Sequence, residues 1–545
     1  MPQKILQISP EDNVIVALQN LVQGDIIHFK NQVYNIQEAI PAKHKFYMSD
    51  MAAGDPVFMY GVLAGKVTQA VKAGSRMTTD NLQHAAEPYA YRSVNYQWTP
   101  PDISQFIGKT FNGYHREDGR VGTANYWLFI PTVFCENRNL DVIKEALHHA
   151  LGYAVTGPYT RYAKALLEAW QDQTTLDAVG LQPVPDAAKR PFQNIDGIKF
   201  LNHQGGCGGI RQDAALLSRL LAAYANHPNV GGITVLSLGC QNLQTQDFLA
   251  DIKAINPNFN KPLYIFEQQA SESEQSLITK AIRQSFEGMV QLNQITRKPA
   301  PLSQLCIGVK CGGSDGFSGI SANPAVGYCA DLLVALGGKV LLAEFPELCG
   351  VEQELIDRCV EPASAHKFID LMQRFDALVT NAGSSFSMNP SPGNIRDGLI
   401  TDAIKSAGAA KKGGTSPIVD VLDYTEQATK PGLSLVCTPG NDVEATTGKA
   451  ASGATLILFT TGLGTPTGNP ICPTIKVSSN SNLTTRMQDI IDIDCGPVIS
   501  GEQSIEAMGA AILEYCIAAA SGEITPKAVQ LGQDDFIPWK RGVSL

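Results

Sequence analysis

The segment spanning residues 305–347 constrains the fold more than any other part of the chain. It begins with a short apolar run, LCIGV, and breaks at Cys311-Gly312-Gly313 before a loop rich in serine. Helical spacing of apolar residues follows at 325–336, and a second buried run, KVLLA, follows at 339–343. Strand, glycine-rich loop, helix and strand make a βαβ unit, in which ligands bind at the carboxyl ends of the strands. The segment therefore predicts an α/β domain with a binding site at 311–315.

Polar side chains crowd the loop after the first strand of this unit. Ser314, Asp315 and Asn323 lie between the two glycines and the body of the predicted helix. A tight turn around a buried cysteine is the simpler interpretation of such a loop. A turn alone does not require a thiol, a carboxylate and several hydroxyls together, so we favour a binding site.

Length and composition limit the classes of protein to which the chain can belong. Its 545 residues predict about three or four domains, and its hydrophobic content of 44% is typical of globular proteins. The net charge of −10 argues against nucleic acid or an anionic membrane as the main partner. The first residues lack the apolar core of a signal peptide, and no apolar run reaches the roughly 18 residues of a membrane span. We therefore expect a cytoplasmic protein that binds neither nucleic acid nor membranes.

Turn signals and apolar periods divide the chain into four segments. Residues 1–88 contain short apolar runs between glycines and prolines, which predicts a small β-rich domain with a short helix at 9–21. Residues 89–108 contain two consecutive prolines and little periodicity, as expected of a linker. Residues 109–297 and 298–545 alternate strand-like runs with helical patterns, which predicts two α/β units with mainly parallel sheets. A stretch at 156–194 interrupts the alternation and is interpreted as an inserted helical segment.

Three of the twelve cysteines differ from the rest in their surroundings. Cys207, Cys240 and Cys311 each have a glycine neighbour, and each lies at or just past the end of an apolar run. We expect their loops to meet in a cleft shared by the two α/β units. Soft thiolates bind iron or iron–sulfur centres, so we predict that these three cysteines ligate a metal. The alternative is three buried thiols near glycine turns, because free cysteine also packs as a small hydrophobic residue.

Two of the nine histidines are candidates for proton transfer. His44 lies in the sequence PAKHK, where the flanking lysines should lower its pKa because like charges disfavour the imidazolium. A solvated basic loop is the alternative interpretation of PAKHK. His203 lies four residues before Cys207, at a predicted strand end, where it could reach a metal or a metal-bound ligand.

Several longer motifs resemble one known family. They are GYHREDGRVGTANYW at 113–127, the GCG loop at 206–208, LGCQN, CGGSDGFSGISANP, NPSPGN and FTTGLGTPTG. Taken in order, they resemble the altronate and galactarate dehydratase family over nearly the full chain. The first module is similar to SAF, or β-clip, domains, and GVEQEL, TPGNDVEATT and WKRGVSL resemble the altronate branch. The chain departs from that branch at 76–81, RMTTDN, where altronate enzymes often carry a pair of histidines.

The resemblance implies a lyase that removes water from a sugar acid, D-altronate, to give 2-keto-3-deoxy-D-gluconate. It also implies Fe²⁺ as cofactor, with Mn²⁺ or an iron–sulfur cluster on the three cysteines as alternatives. A galactarate dehydratase, another hydroxy-acid lyase and a non-catalytic sugar-acid sensor remain open. The sequence permits a homo-oligomer but does not determine the number of copies.

This interpretation assigns a role to each candidate residue. Proton transfer is assigned to His44, and His203 is assigned as its partner on the metal side. Lys43 and Asp315 are the other predicted catalytic residues, and metal binding is assigned to the three cysteines above. A base would take the proton on C2, next to the carboxylate, and an acid would protonate the departing C3 hydroxyl. The substrate-binding residues are expected in the polar loops of the C-terminal unit: Ser314, Asn323, Asn394, Asn441, Asp442, Thr461 and Thr465.

Overall fold

The computed structural model describes residues 4–154, 158–181 and 190–544, and it confirms the predicted fold class. A small β-rich domain comes first, and two α/β units built on parallel sheets follow. None of the helices in the described ranges has the length and hydropathy that a membrane span requires.

The N-terminal domain consists of short antiparallel strands. The strands are β1 Ile5–Leu6, β2 Val14–Ala17, β3 Ile26–Phe29, β4 Gln32–Asn35, β5 Lys45–Tyr47, β6 Pro56–Met59, β7 Val62–Val67 and β8 Leu82–Gln83. They pair in the orders β1-β2-β5, β3-β4 and β6-β7-β8. Tight turns with glycine at positive φ join several of them, which explains the close spacing of glycines in this part of the sequence.

The helix predicted at 9–21 is wrong, because this segment contains β2. All four residues of β2 are buried, and three are β-branched, a composition that favours a strand over a helix. The carboxylate of Asp12 accepts hydrogen bonds from the backbone N–H groups of Ser9 and Gly61 at 2.9 Å. Asp12 therefore ties a turn to a neighbouring hairpin instead of starting a helix.

The segment between the first two domains packs against the C-terminal domain. Residues 84–103 contain no helix or strand. The hydroxyl of Tyr96 donates to the carbonyl oxygen of Thr415 at 2.6 Å, and the indole N–H of Trp98 donates to the hydroxyl of Thr415 at 3.2 Å. The aromatic side chains of this stretch thus hold an extended backbone against one surface.

The second domain contains a four-stranded parallel sheet ordered β12-β11-β13-β14. The strands of this part are β9 Thr110–His115, β10 Val121–Gly122, β11 Tyr126–Pro131, β12 Gly197–Phe200, β13 Val230–Ser237, β14 Leu263–Glu267 and β15 Lys298–Pro301. The helices are α1 Asn137–Ala150, α2 Pro158–Gln171, α3 Arg211–Asn226, α4 Thr245–Ile255 and α5 Glu274–Leu292. Strands β9 and β15 pair with each other, so the segments by which the chain enters and leaves the second domain lie side by side. The segment interpreted as an inserted helix contains α2, while residues 156–157 and 182–189 lie outside the described residues.

The C-terminal domain is built on a seven-stranded parallel sheet ordered β18-β19-β17-β16-β20-β21-β22. Its strands are β16 Cys306–Cys311, β17 Lys339–Ala343, β18 Ile418–Leu422, β19 Gly432–Val436, β20 Leu456–Thr461, β21 Thr474–Ser478 and β22 Ile493–Asp494. Its helices are α6 Ala322–Ala335, α7 Glu352–Asp357, α8 Pro362–Asn381, α9 Pro392–Arg396, α10 Asp402–Ala410, α11 Asp442–Ala451, α12 Ser481–Arg486, α13 Gly496–Ser500, α14 Ile505–Ala520 and α15 Lys527–Gln530.

The strand order of this sheet defines a switch point between β16 and β20. Strands β17, β19 and β18 lie on one side of β16, and β20, β21 and β22 lie on the other. Crevices at such a point, beyond the carboxyl ends of the strands, are the usual ligand sites of open α/β sheets. The loop at 311–315 begins at this position, as the sequence predicted.

Trp127 fills the core of the second domain against two glycines. The indole is fully buried, and its N–H donates to the hydroxyl of Thr234 at 3.0 Å. A Cβ atom added at Gly232 or Gly288 would overlap the indole ring. The absence of a side chain at both positions is therefore required for the indole to pack between β13 and α5.

We predict that Gly288→Ala lowers the stability of the second domain by about 1–3 kcal/mol, the usual cost of overpacking a core. Alanine favours a helix over glycine by about 1 kcal/mol, so a loss of stability would identify steric overlap as the cause. Differential scanning calorimetry of the variant and the unmodified protein measures the change in unfolding temperature. Gly180→Ala is the control, because a Cβ atom there meets nothing within 4 Å. Equal unfolding temperatures for all three proteins would contradict the packing argument.

Candidate active site

The turn after β16 brings several of the predicted residues together. A Cβ atom at Gly312 would lie 2.5 Å from the Asp442 carboxylate, and one at Gly313 would lie 2.8 Å from the Thr465 hydroxyl and 3.2 Å from the Thr461 hydroxyl. The backbone of this turn is therefore in contact with polar side chains from the loops after β19 and β20. Glycine is needed here because of these close approaches, and at Gly313 also because of its φ of 58°.

Asp315 is a fully buried carboxylate with hydrogen-bond donors on both oxygens. Its Oδ1 accepts from the N–H and hydroxyl of Ser318, both at 2.9 Å, and from the hydroxyl of Ser479 at 2.8 Å. Its Oδ2 accepts from the side-chain amide of Asn480 at 3.2 Å and lies 3.0 Å from the ammonium of Lys43. With this set of donors Asp315 holds its neighbours in place, and its role is positioning instead of proton transfer.

The PAKHK loop of the N-terminal domain inserts into the C-terminal domain at this point. The ammonium of Lys43 lies 3.0 Å from Asp315 and 2.9 Å from Asp397. Burial alone would lower the pKa of Lys43, but these two carboxylates raise it overall. Added Cβ atoms at Gly316 and Gly398 would clash with the Lys43 carbonyl oxygen, so two glycines hold the loop between them. Because of this docking, PAKHK is not the solvated basic loop that was the alternative interpretation.

His44 has one ring nitrogen in use and one free. Its Nε2 lies 3.0 Å from the carbonyl oxygen of Arg396, which can only accept, so Nε2 carries the proton. Its Nδ1 is buried and has no hydrogen-bond partner among the described residues. The pKa of His44 is lowered, mainly by burial, with a smaller contribution from Lys45. The sequence predicted the direction of this shift, although burial and not the flanking lysines is its main cause.

A polar cavity of about 600 Å³ lies where the two domains meet. Its lining includes Lys43, Asp397, Asn480 and Arg486, together with Asn20 from the N-terminal domain. Arg486 forms no ion pair with the acidic side chains of the described residues, so its charge is available to a ligand. A cavity with a free cation and several amides suits a small carboxylic acid that carries hydroxyls.

A second cavity, of about 510 Å³, lies between the second and C-terminal domains. It is lined by Asn202, Cys207 and Asn242 of the second domain and by Glu444 at the start of α11. The loop after β20 lines the first cavity and contacts the C-terminal segment that lines the second. Its Gly462 lines the first one, and the N–H of its Gly468 donates to Asp535, beside Phe536 of the second one, at 2.9 Å.

The two α/β units and the N-terminal domain each match a family description. The altronate/galactarate dehydratase SAF domain matches residues 3–85, the second domain of D-galactarate dehydratase/altronate hydrolase matches 113–293, and the C-terminal domain of D-galactarate/altronate dehydratase matches 302–544. The chain is 32% identical to an altronate dehydratase of Bacillus subtilis (strain 168) over 100% of both chains. It is 32% identical to an altronate dehydratase of Escherichia coli (strain K12) over 94% of each chain. It is 31% identical to the galactarate dehydratase (L-threo-forming) of Escherichia coli (strain K12), over 89% of this chain and 87% of that protein.

The chain belongs to the altronate/galactarate dehydratase family. It is therefore a hydro-lyase, an enzyme that eliminates water.

Cys311 lies in a different group of side chains from the one predicted for it with Cys207 and Cys240. Within the described ranges, the one trio of His, Cys, Asp or Glu side chains whose ligand atoms all lie within 4.8 Å of one another is Cys311, Glu344 and Glu347. Cys311 is buried in the C-terminal domain, whereas Cys207 and Cys240 are exposed in loops of the second domain. The sequence pattern placed all three at or just past strand ends, but it did not show that Cys311 belongs to a different sheet from the strands before Cys207 and Cys240.

The Cys311 trio is surrounded by lysines and does not suit a metal cation. Lys310 pairs with Glu344, and Lys412 lies 3.4 Å from Glu344 and 3.2 Å from the sulfur of Cys311. Burial raises the pKa of Cys311 to about 11, which keeps the thiol protonated at neutral pH. Burial alone would raise the pKa of Glu347, but nearby lysines, Lys405 first among them, lower it to about 2. The carboxylates are already neutralised by ammonium groups, and a cation would have to displace them.

Sequence reasoning missed this lysine–glutamate cluster, defined by Lys310, Glu344, Glu347, Lys405 and Lys412. The one sequence signal for this cluster was the position of two members at strand ends. Lys310 is the penultimate residue of β16, and Glu344 directly follows β17. Glu344 adopts a φ of 74° in the left-handed region, which is strained for a residue with a side chain. The buried network of ion pairs holds it there.

His203 is a structural residue, which contradicts its assignment to proton transfer or metal binding. Its Nε2 donates to the carbonyl oxygen of Pro131 at 2.8 Å, and its Nδ1 accepts from the N–H of Gly205 at 3.1 Å. Burial lowers its pKa to about 4, so the ring is neutral at physiological pH. With both nitrogens in use, His203 fixes the start of the loop that carries Cys207.

Several predicted substrate-binding residues support the backbone of the site instead. Asn394 donates to the carbonyl oxygen of Ser314 at 2.8 Å and also caps α9. Asn323 bonds to Thr460 and Gly408 deep in the core, and Asn441 caps α11. Asp442 lies 2.9 Å from Lys310 and remains partly exposed. Asn323, Asn394 and Asn441 therefore support the backbone, and Ser314 is held through its carbonyl oxygen. Asp442, Thr461 and Thr465 contact the glycine turn.

We predict that Gly398→Ala loosens the docking of the PAKHK loop and lowers stability by about 1–3 kcal/mol more than a matched control. The control is Gly501→Ala, which shares the positive φ but has nothing within 4 Å of an added Cβ atom. Limited proteolysis of the N-terminal domain and urea unfolding measure the two effects. Because the control carries the same backbone strain, the difference reports the clash with Lys43. Equal cleavage and unfolding of the two variants would show that the contact is not important.

Proposed function

We propose that the enzyme removes water from a six-carbon aldonic acid, D-altronate, to give 2-keto-3-deoxy-D-gluconate. Two relatives named altronate dehydratase match nearly all of the chain at 32% identity. The observation that carries the proposal is the polar cavity beside the PAKHK loop, which is lined by Lys43 of that loop and by the unpaired guanidinium of Arg486. The neutral His44 is the next residue of the same loop. A single carboxylate and a row of hydroxyls match this lining.

The reaction requires a base that removes a very weakly acidic proton. The hydrogen on C2 of the acid lies next to a carboxylate, so its removal places additional negative charge on an already charged group. Proton transfer to a positioned side chain contributes typically about 10²–10⁴-fold to such a rate. An acid must then protonate the departing C3 hydroxyl, because hydroxide is a poor leaving group.

Of the two candidate histidines, His44 supports this chemistry better than His203. Its free Nδ1 is a lone pair that can accept a proton, and its Nε2–H is held by the Arg396 carbonyl. Its depressed pKa keeps the ring neutral, the form that acts as a base. Lys43 belongs to the same loop and is fixed by Asp315 and Asp397, so it can place positive charge near the substrate without mobility.

A metal cation is part of the proposal, although the residues near Cys311 do not suit one. Iron or manganese, when bound, would act as a Lewis acid that stabilises charge next to the substrate carboxylate. Manganese prefers oxygen ligands, and the carboxylates of the lysine–glutamate cluster are already paired. The exposed thiols of Cys207 and Cys240 suit iron better.

Galactarate is a second candidate substrate, because one relative is named a galactarate dehydratase. Galactarate carries a carboxylate at each end of its carbon chain and would require two cations for equal neutralisation. Of the two cationic residues that line the described cavity, Lys43 is already shared by two carboxylates, and Arg486 is the unpaired one. One free cation favours a substrate with one carboxylate.

Replacement of His44 by glutamine is expected to lower kcat at least about 10²-fold, the size of a general base contribution. His28→Gln is the control, because His28 lies on an exposed face of β3 in the same domain. In the unmodified enzyme, the acidic limb of kcat/KM should lie below the ordinary imidazole pKa of about 6.5, since burial lowers the pKa of His44. Activity is therefore retained as pH falls past 6.5 and is lost only at lower pH. An acidic limb that is unchanged in His44→Gln would remove His44 from the mechanism.

Arg486→Gln should raise KM for D-altronate more than it lowers kcat, because a carboxylate contact stabilises substrate and transition state alike. Steady-state kinetics with D-altronate and with galactarate measure both constants. The unmodified enzyme is expected to have the higher kcat/KM on D-altronate. A preference for galactarate would refute the substrate assignment, while an unchanged KM in the variant would refute the role of Arg486.

A further inference from the structure

Three cysteines occupy the carboxyl edge of the second domain's sheet. Cys135 follows β11, Cys207 follows β12 and Cys240 follows β13, and these are three adjacent parallel strands. Parallel strands place the loops that follow them at the same edge. All three thiols are exposed. Cys135 was not among the residues that the sequence singled out, because it lies in FCEN, four residues past its strand and without a glycine neighbour.

Backbone contacts tie the three loops to one another. The N–H of Phe134 donates to the carbonyl oxygen of Gly205 at 3.1 Å, which joins the Cys135 loop to the Cys207 loop. The N–H of Asn242 donates to the carbonyl oxygen of Gly206 at 2.9 Å, which joins the Cys207 loop to the Cys240 loop. A side chain at Gly206 would overlap the Thr132 carbonyl, so this loop packs directly on the end of β11. The fold therefore holds the three cysteine loops next to one another.

A side chain orients one of the three thiols. The sulfur of Cys240 accepts a hydrogen bond from the side-chain amide of Gln269 at 3.2 Å, the kind of contact that orients a metal-bound thiolate.

We infer that Cys135, Cys207 and Cys240 hold an iron–sulfur cluster. Each thiol would lose its proton and bond to a different iron. Sulfurs that share one metal ion at about 2.3 Å must lie about 4 Å apart, and these three do not form a trio with all separations within 4.8 Å. A cluster holds its cysteines farther apart, because each sulfur binds its own iron. The spacing thus favours a cluster over a single ion.

Three cysteines leave one iron of a four-iron cluster without a protein thiolate. Cys207 lines the cavity of about 510 Å³ between the second and C-terminal domains, together with Asn202, Gln204 and Asn242. This polar lining suits oxygen-containing ligands such as water, a hydroxyl or a carboxylate. The inference deepens the proposed function by naming its iron site, but the composition of that site is measured without any substrate.

The test is the iron and acid-labile sulfide content of the full chain purified without oxygen. We expect about four irons and about four sulfides per chain, with the visible absorption of an iron–sulfur centre. Cys135→Ser, Cys207→Ser and Cys240→Ser should each lose most of both elements. Cys359→Ser and Cys311→Ser should keep them, because neither thiol belongs to the three loops.

The unfolding temperature of each apo-variant separates loss of the cluster from loss of the fold. A variant that unfolds is replaced by the corresponding alanine variant, and the three positions provide independent readings. Iron without sulfide would overturn the inference, as would zinc or full metal retention in all three serine variants. Loss of both elements in Cys311→Ser alone would return the iron site to the C-terminal domain. An active enzyme that lacks iron and sulfide would refute the cluster while leaving the proposed function intact.

Discussion

Much of the arrangement of this protein depends on one buried carboxylate, Asp315. A carboxylate removed from water requires hydrogen-bond donors and a positive charge, or it loses its ionised form. Asp315 obtains them from three different parts of the chain: Ser318 in its own loop, Ser479 and Asn480 after β21, and Lys43 in the N-terminal domain. The requirement to satisfy one group therefore draws a separate domain onto the edge of the sheet. Two of the partners of Asp315, Lys43 and Asn480, line the polar cavity between those domains.

The lysine–glutamate cluster extends the same principle on the other side of the glycine turn. Lys310, Lys405 and Lys412 surround Glu344 and Glu347 at 0–9% side-chain exposure. Buried ion pairs contribute little net stability, but removal of one partner is costly because the other is left uncompensated. Such a network fixes geometry. Here it holds Glu344 in a left-handed backbone conformation.

The sequence was most informative where local pattern and final environment agree. The run LCIGV predicted β16, the two glycines predicted the turn after it, and the apolar period predicted α6. These predictions were possible because strand ends and helix faces are determined by residues close together in the sequence. The prediction of a helix at 9–21 is wrong because β2 is stabilised by pairing with β5, a strand farther along the chain. The turn signal before β2 can precede a helix or a strand. Local signals do not report such pairings.

The candidate site shows the same division between local and distant information. His44 was identified from its lysine neighbours, but its free nitrogen depends on Arg396 and on burial by a different domain. His203 has the same residue type and a promising position, yet two backbone groups occupy both of its nitrogens. The grouping of Cys207 with Cys240 follows from consecutive strands of one sheet. The choice between Cys135 and Cys311 as the third thiol depends on strand order, which residue spacing does not contain.

Strand order also explains why two kinds of chemistry lie at two different edges. The edge of the seven-stranded sheet carries the polar cavity, whose unpaired Arg486 suits an anionic substrate. The edge of the four-stranded sheet carries exposed thiols, which are soft ligands suited to iron. The loop after β20 contributes Gly462 to the polar cavity, and the N–H of its Gly468 donates to Asp535, beside Phe536 of the second cavity. The two edges are thus linked through the loop after β20 and the C-terminal segment that contains Asp535.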